Sequence, residues 1–472
     1  MTGAMPAEAG PRAMTLKNYL GYAAGDAANN LSFTMAGMFL ILYYTNVVGV
    51  EGAVIGTMFL VVRFVDAFTD LGAGRLIDGR TPGKMGKFRP FILIFSLPLL
   101  VSSWAIYSAK IVFPDIAGTA AIVYMYVTYL LMGSIFYTLV NIAYGSMAPS
   151  LTQVPTERAK LAVFRGYGAA LAVLALAFVI APQISGNAED PGALQQSLFL
   201  TTGIFVAVGM VLYLFLVFSN REQVTRPGVT VGFLDSMRTL GGNKPLLWLS
   251  GGAVLFLTGL TAMSTLGSYI AIYVQGNATY IAFNTLAQVL PLFFVGPLIP
   301  RVVRTVGKRT GYVTFGAVGI MGAVVLAFGP LDTTPWVGLI AFFLMGTAVN
   351  GVNTLMWALE ADTVEYGEWR SGNRTEGTTY AAFSFTRKMG QALGGFVGGF
   401  ALTWAGFSAA SAAAGEAQAD GVSQNIQLWA GGLVGGFLLL SVTVMFFYPL
   451  TEERFREITA EIAARRAART DN

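Results

Sequence analysis

The chain has 472 residues, of which 55% are hydrophobic and 11% are charged, and its mean hydropathy is +0.62. Soluble domains carry roughly 25% charged residues, so this composition indicates an integral membrane protein. The absence of cysteine and histidine excludes disulfides, thiolate metal sites and the commonest general base. The chain also lacks a phosphate-binding loop and a serine-hydrolase elbow, so we expect no enzyme activity.

Apolar runs of membrane-spanning length follow an N-terminal tail at residues 1–17, in which we expect no cleaved signal peptide. They lie at roughly 19–47, 53–76, 90–110, 118–142, 159–182, 197–219, 246–274, 279–299, 311–330, 335–359, 377–405 and 427–448. We therefore predict an all-α membrane protein with about twelve transmembrane helices. A hydrophilic segment at 220–245 divides a six-helix half at 18–219 from a second half at 246–449. Residues 450–472 form a charged amphipathic tail, expected to be solvated or to lie on the membrane surface.

Lysine and arginine are concentrated in alternate loops. The largest cluster is Arg75, Arg80, Lys84, Lys87 and Arg89, whereas the opposite loops carry only Lys110. The positive-inside rule then places both termini in the cytoplasm of a multi-pass protein, which we expect in the inner cell membrane. The net charge of +4 follows from this topology, so we expect no nucleic-acid partner.

The two halves share a sequence register. A shift of 222 positions places Gly74 on Gly296, Leu76 on Leu298, Ile77 on Ile299, Arg165 on Arg387 and Gly168 on Gly390. Parallel repeats of six helices are the basis of the major facilitator fold, which we therefore predict here.

One predicted helix carries three charges on one face. Arg63, Asp66 and Asp70 are spaced by three and four residues, and such spacings share a face of an α-helix. Charges inside a membrane are costly unless they are paired or face water, so this stripe is a candidate functional site. Two carboxylates against one guanidinium leave an acid in excess, which favours a cation site. The alternative is that Arg63 neutralises one carboxylate and the pair only joins helices.

Other polar residues lie inside the predicted helices. They are Asp26, Asn29 and Asn30 in the first, Tyr137, Thr138 and Asn141 in the fourth, Arg165 in the fifth and Lys388 in the eleventh. Single amides and hydroxyls in membrane helices often only bond a neighbouring helix. Their combination with charges on three helices indicates a shared site.

Six segments carry a resemblance to a known family. They are GYAAGDAANN at 21–30, LYYTNVVGV at 42–50, VDAFTDLGAGRLIDGRTPGKMGKFRP at 65–90, PTERAKLAVFRGYG at 155–168, and ADTVEYGEWRSGNRTEG with RKMGQALGG at 361–377 and 387–395. The chain resembles the glycoside, pentoside and hexuronide cation symporters of the major facilitator superfamily. The resemblance implies secondary active symport of a sugar or glycoside with Na⁺ or H⁺.

The resemblance also implies roles for individual residues. Asp66 and Asp70 match the carboxylates that bind the coupling cation and would be the ligands of Na⁺ if the ion is sodium, and Thr138, Thr69 and Asn141 belong to the same centre. Positions that match the sugar site or its charge network are Asn29, Asn30, Tyr137, Asn141, Arg165 and Lys388. One galactoside carrier of the family has aspartates where Asn30 and Asn141 stand, which puts galactoside specificity in doubt. No cofactor is expected besides the coupling ion.

The expected mechanism is alternating access, with substrate and ion bound between the halves. The predicted gating residues are Arg80, Lys84, Lys87, Asp362, Glu365 and Arg374, although topology and solvation also account for such loop charges. The expected partners are a small sugar-like molecule and the lipid bilayer, with the protein a monomer. A lipid or other amphiphile carrier of the same fold is the alternative function. It would show an apolar lateral cleft in place of a closed polar cavity with aromatic walls.

Overall fold

A computed structural model describes residues 14–152, 154–187, 190–222, 242–372 and 376–470. The first half contains α1 (Leu16–Tyr43), α2 (Gly52–Asp78), α3 (Arg89–Ile106), α4 (Ala109–Val112), α5 (Gly118–Leu130), α6 (Tyr137–Leu151), α7 (Pro155–Gly186) and α8 (Pro191–Ser219). The second half contains α9 (Lys244–Tyr269), α10 (Tyr280–Val289), α11 (Leu292–Phe328), α12 (Val337–Ser371), α13 (Glu376–Trp404), α14 (Ala409–Ala413) and α15 (Val422–Phe446), and α16 (Glu452–Thr470) follows.

Within these ranges, ten helical segments are long and apolar enough to cross a membrane. One of them, Tyr280–Phe328, contains both the eighth and the ninth predicted helix. Gly307, with a φ of 81°, interrupts α11 between these two predicted helices. The predicted eleventh helix is present as α13, with 29 residues. The prediction of an all-α, multi-pass membrane protein is confirmed. The side that the basic loops face stays a prediction, and we call it the basic side.

The halves meet along three helix pairs. α2 packs against α13, α7 against α10, and α1 against α9. Within the halves, α1 lies against α7 and α8, and α9 lies against α13 and α15. The corresponding helices of the two halves therefore line the plane between them, which is where a shared site can form.

The halves touch most closely at their ends away from the basic side. A Cβ added to Gly399 of α13 would lie 2.4 Å from the carbonyl oxygen of Gly52 and 2.8 Å from Cα of Gly56, both in α2. Only glycine fits such a backbone contact. Alongside it, the hydroxyls of Thr45 and Tyr269 are 2.6 Å apart. We call these contacts the glycine–tyrosine seam; they close the molecule on this side.

Two helices that meet near the seam end in the same irregular way. A π-helical turn, Tyr44–Val48, follows α1, and another, Ile270–Val274, follows α9. Gly49 and Gly276 come next, with φ values of 85° and 72°. Wide turns of this kind frequently occur at functional sites. The match of turn and glycine in both halves agrees with an internal repeat.

Helix α16 packs on the basic end of the second half. Ile458 and Ile462 of α16 are buried. Trp369 of α12 donates from its indole nitrogen to Glu461 at 2.6 Å, and the guanidinium of Arg454 lies 5.2 Å from the Trp369 ring centre. The tail is thus an amphipathic helix, as predicted, but its apolar face covers α12 instead of standing free in solvent.

Candidate functional site

Helix α2 presents the three charged side chains of the predicted stripe, Arg63, Asp66 and Asp70, to the interior. The Arg63 guanidinium donates to Asp66 at 2.8 Å and lies 5.0 Å from the ring centre of Phe33. Asp66 is buried, and its second carboxylate oxygen accepts from the hydroxyl of Ser134. Asp66 therefore has both a charged and a neutral donor within the first half.

Asp70 is bound from both halves. The hydroxyl of Thr138 donates to one of its oxygens at 3.2 Å, and the ammonium of Lys388 on α13 donates to the other. The acid that the sequence left in excess thus has a counter-ion in the second half. Thr69 lies next to Asp70, but its hydroxyl donates to the carbonyl oxygens of Val65 and Asp66 at 3.3 and 3.1 Å.

A second ion pair joins α1 and α7. The Arg165 guanidinium donates to Asp26 at 2.8 Å and lies 5.4 Å from the ring centre of Tyr144. Asn30 donates its amide to the other Asp26 oxygen at 3.1 Å and accepts from Thr34 at 2.7 Å. Sequence reasoning named Asp26 among the polar residues of the first helix but gave it no individual role. The signal was present, because a carboxylate inside an apolar helix requires a partner.

A cavity of about 510 Å³ lies between the halves. Its aromatic wall comes from the first half, with Phe33, Phe59 and Tyr129. Its polar wall comes from the second half, with the carboxamides of Gln288, Asn350, Asn353 and Gln391 and the hydroxyls of Thr261, Ser264 and Thr265. Arg63 is the one charged side chain among the described residues that line it. The aromatic rings thus come from one half and the carboxamides from the other, and Leu260, Val289, Leu292 and Val349 add apolar surface to the second-half wall.

Two carboxamides of the polar wall have hydrogen-bonding capacity that the described residues leave unused. Asn350 donates to the carbonyl oxygen of Gly346 at 2.8 Å, which leaves its amide oxygen to the cavity. The amide oxygen of Asn353 is buried and has no hydrogen-bond partner in the described part of the chain. A buried acceptor of this kind is costly unless a donor reaches it. Sequence reasoning missed these amides, because an isolated Asn or Gln in a membrane helix usually bonds a neighbour.

The residues predicted to bind substrate lie around the cavity and not in its wall. Asn29 is buried, and its amide oxygen accepts from Tyr213 of α8 at 2.6 Å. The Tyr137 ring stacks on Phe33, with centres 4.6 Å apart, and Asn141 follows one turn later on α6. Asn30, Arg165 and Lys388 are in the ion-pair networks described above. The structure therefore brings together Asn30 with Arg165, and Lys388 with the acidic stripe.

The predicted gating residues lie on the basic side. Asp362 accepts from the ammonium of Lys308 at 2.6 and 2.7 Å, so its partner is in the same half. Arg80 lies 5.4 Å from the ring centre of Phe91, and Lys87 lies 5.9 Å from that of Phe88. Two further predicted residues are Lys84, which is exposed, and Glu365, which is half-buried. Arg374 lies outside the described residues.

Two glutamates hold the basic loops in corresponding ways. Glu222, after α8, accepts from the backbone N–H groups of Lys87 and Phe88 at 2.7 and 2.9 Å, at the start of α3. Glu452, after α15, accepts from the backbone N–H of Lys308 at 3.0 Å. Each carboxylate thus joins the last helix of its half to the loop between the second and third helices. Neither glutamate was singled out from the sequence.

Comparisons with known proteins agree with this architecture. Residues 21–452 match the family described as MFS/sugar transport protein. The glucuronide carrier protein homolog of Escherichia coli (strain K12) is 37% identical over 454 residues, which cover 96% of each chain. A putative sulfoquinovose importer of Salmonella typhimurium is 32% identical, covering 96% of this chain and 94% of the relative. The isoprimeverose transporter of Lactiplantibacillus pentosus is 30% identical, covering 90% and 87%.

Solved structures share the fold at low sequence identity. The nucleoside transporter NupG has a TM-score of 0.62 at 14% identity, covering 93% of this chain and all of that one. A bacterial homolog of the human lysosomal transporter Spinster, inward-facing and unoccupied, has a TM-score of 0.65 at 13% identity, covering 94% and 99%. The family match spans nearly the whole helical region, so the chain belongs to the MFS/sugar transport protein family and is a multi-pass membrane transporter.

Proposed function

We propose that the protein transports a sugar or glycoside together with a cation, Na⁺ or H⁺, and that it carries out no enzymatic reaction. The observation that carries this proposal is the ion pair between Asp70 and Lys388, because it joins the two halves next to the buried carboxylate of Asp66. Symport requires that ion binding change the contact between the halves. An ion pair that crosses between them is such a contact.

The coupling works through competition for the carboxylates. In this structure the Lys388 ammonium neutralises Asp70, and Arg63 neutralises Asp66. A cation that binds both carboxylates displaces the lysine, so the halves lose a contact when the ion arrives. That difference in contacts is the free energy by which an ion biases a conformational equilibrium. The hydroxyls of Thr138 and Ser134 supply further oxygen ligands if the ion is sodium.

The cavity favours a hydroxylated solute. A carboxamide both donates and accepts hydrogen bonds, and so does a sugar hydroxyl, so the polar wall of the second half matches a polyol. The facing aromatic residues Phe33, Phe59 and Tyr129 provide flat apolar surfaces for the ring. An acyl chain would leave the amides of the polar wall unsatisfied, which argues against a lipid carrier. The relatives named for glucuronide, sulfoquinovose and isoprimeverose support a sugar-type substrate.

The proposal is tested with purified protein in proteoliposomes. Uptake of radiolabelled glycosides, pentoses and uronates is measured under an inward sodium gradient, an inward proton gradient, or neither. We expect accumulation above equilibrium for at least one sugar under one of the two gradients, and its collapse when an ionophore dissipates that gradient. Equilibration of every sugar without any gradient dependence would rule out coupling. A Lys388→Ala protein serves as a comparison, because it keeps the cavity but removes the ion pair between the halves.

A further inference from the structure

Arg387 of α13 is a charged group within the predicted eleventh transmembrane helix. Its guanidinium lies 4.9 Å from the ring centre of Trp357 and 6.0 Å from that of Phe383. One of its nitrogens is 3.4 Å from the sulfur of Met356. No carboxylate from the described ranges forms an ion pair with it. The guanidinium is therefore held in place by groups that leave most of its N–H donors unused.

The other basic residues at this depth are paired. Arg63 binds Asp66, and Lys388, next to Arg387 in the chain, binds Asp70. Arg387 differs although it lies on the same helix as Lys388. A guanidinium that lacks an anion in such surroundings is expensive, and expensive charges in membrane helices usually serve a ligand.

The internal repeat identifies what is missing. Arg165 occupies the corresponding position in the first half, 222 residues earlier, and its counter-ion Asp26 comes from α1. In the second half α9 takes the place of α1 and packs against α13. The sequence of α9, Lys244–Tyr269, contains no Asp or Glu. The second half thus repeats the arginine, but its α9 carries no carboxylate in the place of Asp26.

Arg387 also lies one helical turn from a residue that lines the cavity between the halves. Gln391, one helical turn further along α13, lines that cavity. Asn353 lines it too, and Trp357 follows Asn353 by one turn on α12. Residues four apart share a helix face and are about 6 Å apart along the axis. The backbone of Arg387 therefore lies about one turn from the polar wall, toward the basic side.

We propose that Arg387 binds the anionic group of the substrate, and that the substrate is a sugar acid carrying a carboxylate or sulfonate. This inference rests on the proposed function. A guanidinium presents paired N–H donors that match two oxygens of such a group, which an ammonium cannot do. Trp357 and Phe383 fix the plane of the guanidinium without competing for its donors. With the anion at Arg387, the sugar hydroxyls reach the carboxamides of Gln391 and Asn353.

The test compares two sugars that differ only in the charged group. Methyl β-D-glucuronide carries a carboxylate where methyl β-D-glucoside carries a hydroxymethyl group. Binding of both to the purified full-length protein is measured by calorimetry, with the coupling ion present, and sulfoquinovose serves as the sulfonate probe. We expect the wild type to prefer the anionic sugars. Arg387→Gln should weaken glucuronide binding about 100-fold, the scale for losing a buried charged hydrogen bond, while glucoside binding changes less than about threefold.

Two further variants make the result specific. Arg387→Lys keeps the positive charge but not the paired N–H donors of the guanidinium. We therefore expect an intermediate loss of affinity, about tenfold, for the anionic sugar. Arg309→Gln is the matched control, because Arg309 also stacks on a ring, with its guanidinium 5.5 Å from the centre of Phe446, but lies away from the cavity. It should leave both affinities unchanged.

The outcomes separate the two proposals. Equal binding of glucuronide and glucoside by the wild type would refute the anion site and leave sugar transport intact. Equal losses for both sugars in Arg387→Gln would assign Arg387 to packing alone. Failure of the wild type to bind or transport any sugar in either test would overturn the proposed function, and the anion site with it.

Discussion

The ion pair between Lys388 and Asp70 predicts an unusual effect of mutation, in which removal of a charge strengthens ion binding. In Lys388→Gln the carboxylates of Asp66 and Asp70 lose the ammonium that competes with the coupling ion. The two side chains of the pair are 38% and 24% exposed, so the burial of this ion pair is intermediate between that of a surface pair and that of a fully buried pair. Exposed pairs are worth up to about 1 kcal/mol, and breaking a buried pair costs about 3–5 kcal/mol. We take about 2 kcal/mol for the free energy of the Lys388–Asp70 ion pair, which corresponds to roughly 30-fold tighter binding of the coupling ion in Lys388→Gln.

The assay is a titration of purified protein with the ion that drives uptake, followed by calorimetry at fixed pH. The control is Lys17→Gln, since Lys17 is exposed at the start of α1 and the change removes the same charge. Accumulation of the substrate under the ion gradient should fall in Lys388→Gln even though the ion binds more tightly. The reason is that ion binding no longer breaks a contact between the halves. An affinity that is unchanged or weaker, with Lys17→Gln at wild-type level, would show that the lysine does not compete with the ion.

Three further changes address other parts of the structure. Asp66→Asn or Asp70→Asn should abolish accumulation driven by an ion gradient but preserve membrane insertion; wild-type accumulation in both would make the stripe structural. Asp26→Asn leaves its guanidinium partner without a counter-ion and, for a half-exposed pair, should destabilise the protein by about 2 kcal/mol, seen as a lower melting temperature in detergent. An unchanged melting temperature would contradict this. Gly399→Ala places a Cβ against the backbone of α2 at the glycine–tyrosine seam and should destabilise this contact by about 1–3 kcal/mol. In this cysteine-free chain, the change should speed maleimide labelling of a cysteine introduced as Thr45→Cys. Labelling at the original rate would show that the seam tolerates the methyl group.

Much of the fold follows from the sequence, because a lipid environment leaves few choices. Apolar runs of sufficient length must be helices, since the bilayer offers no partner for a free backbone group. The eighth and ninth helices were predicted as separate, and the non-helical backbone of Gly307 does interrupt α11 between them. The acidic stripe of α2 was also predictable, because Arg63, Asp66 and Asp70 share a face by helix geometry alone.

The partners of those charges could not be predicted with the same means. The contact of Lys388 with Asp70 depends on how α13 crosses α2, and spacing along one helix carries no information on that crossing. The resemblance to symporters associated Lys388 with the charge network but did not identify its partner. Asp26 was visible as a polar residue, yet its role depends on Arg165 standing opposite. The polar wall of amides was missed for the same reason, because each amide alone is unremarkable in a membrane helix.

The glycine–tyrosine seam gives α2 and α13 the properties of a lever. Gly56 and Gly399 bring the two helix backbones into direct contact, so the crossing is a fixed point about which α2 and α13 can rotate. Asp70 lies 14 residues from Gly56, about 21 Å along the helix at 1.5 Å per residue. Over that length a rotation of about 10° at the crossing displaces Asp70 by roughly 4 Å, and this displacement added to the contact distance exceeds the reach of an ion pair, about 4 Å. A small rotation at the glycine–tyrosine seam is thus enough to break the ion pair between Asp70 and Lys388.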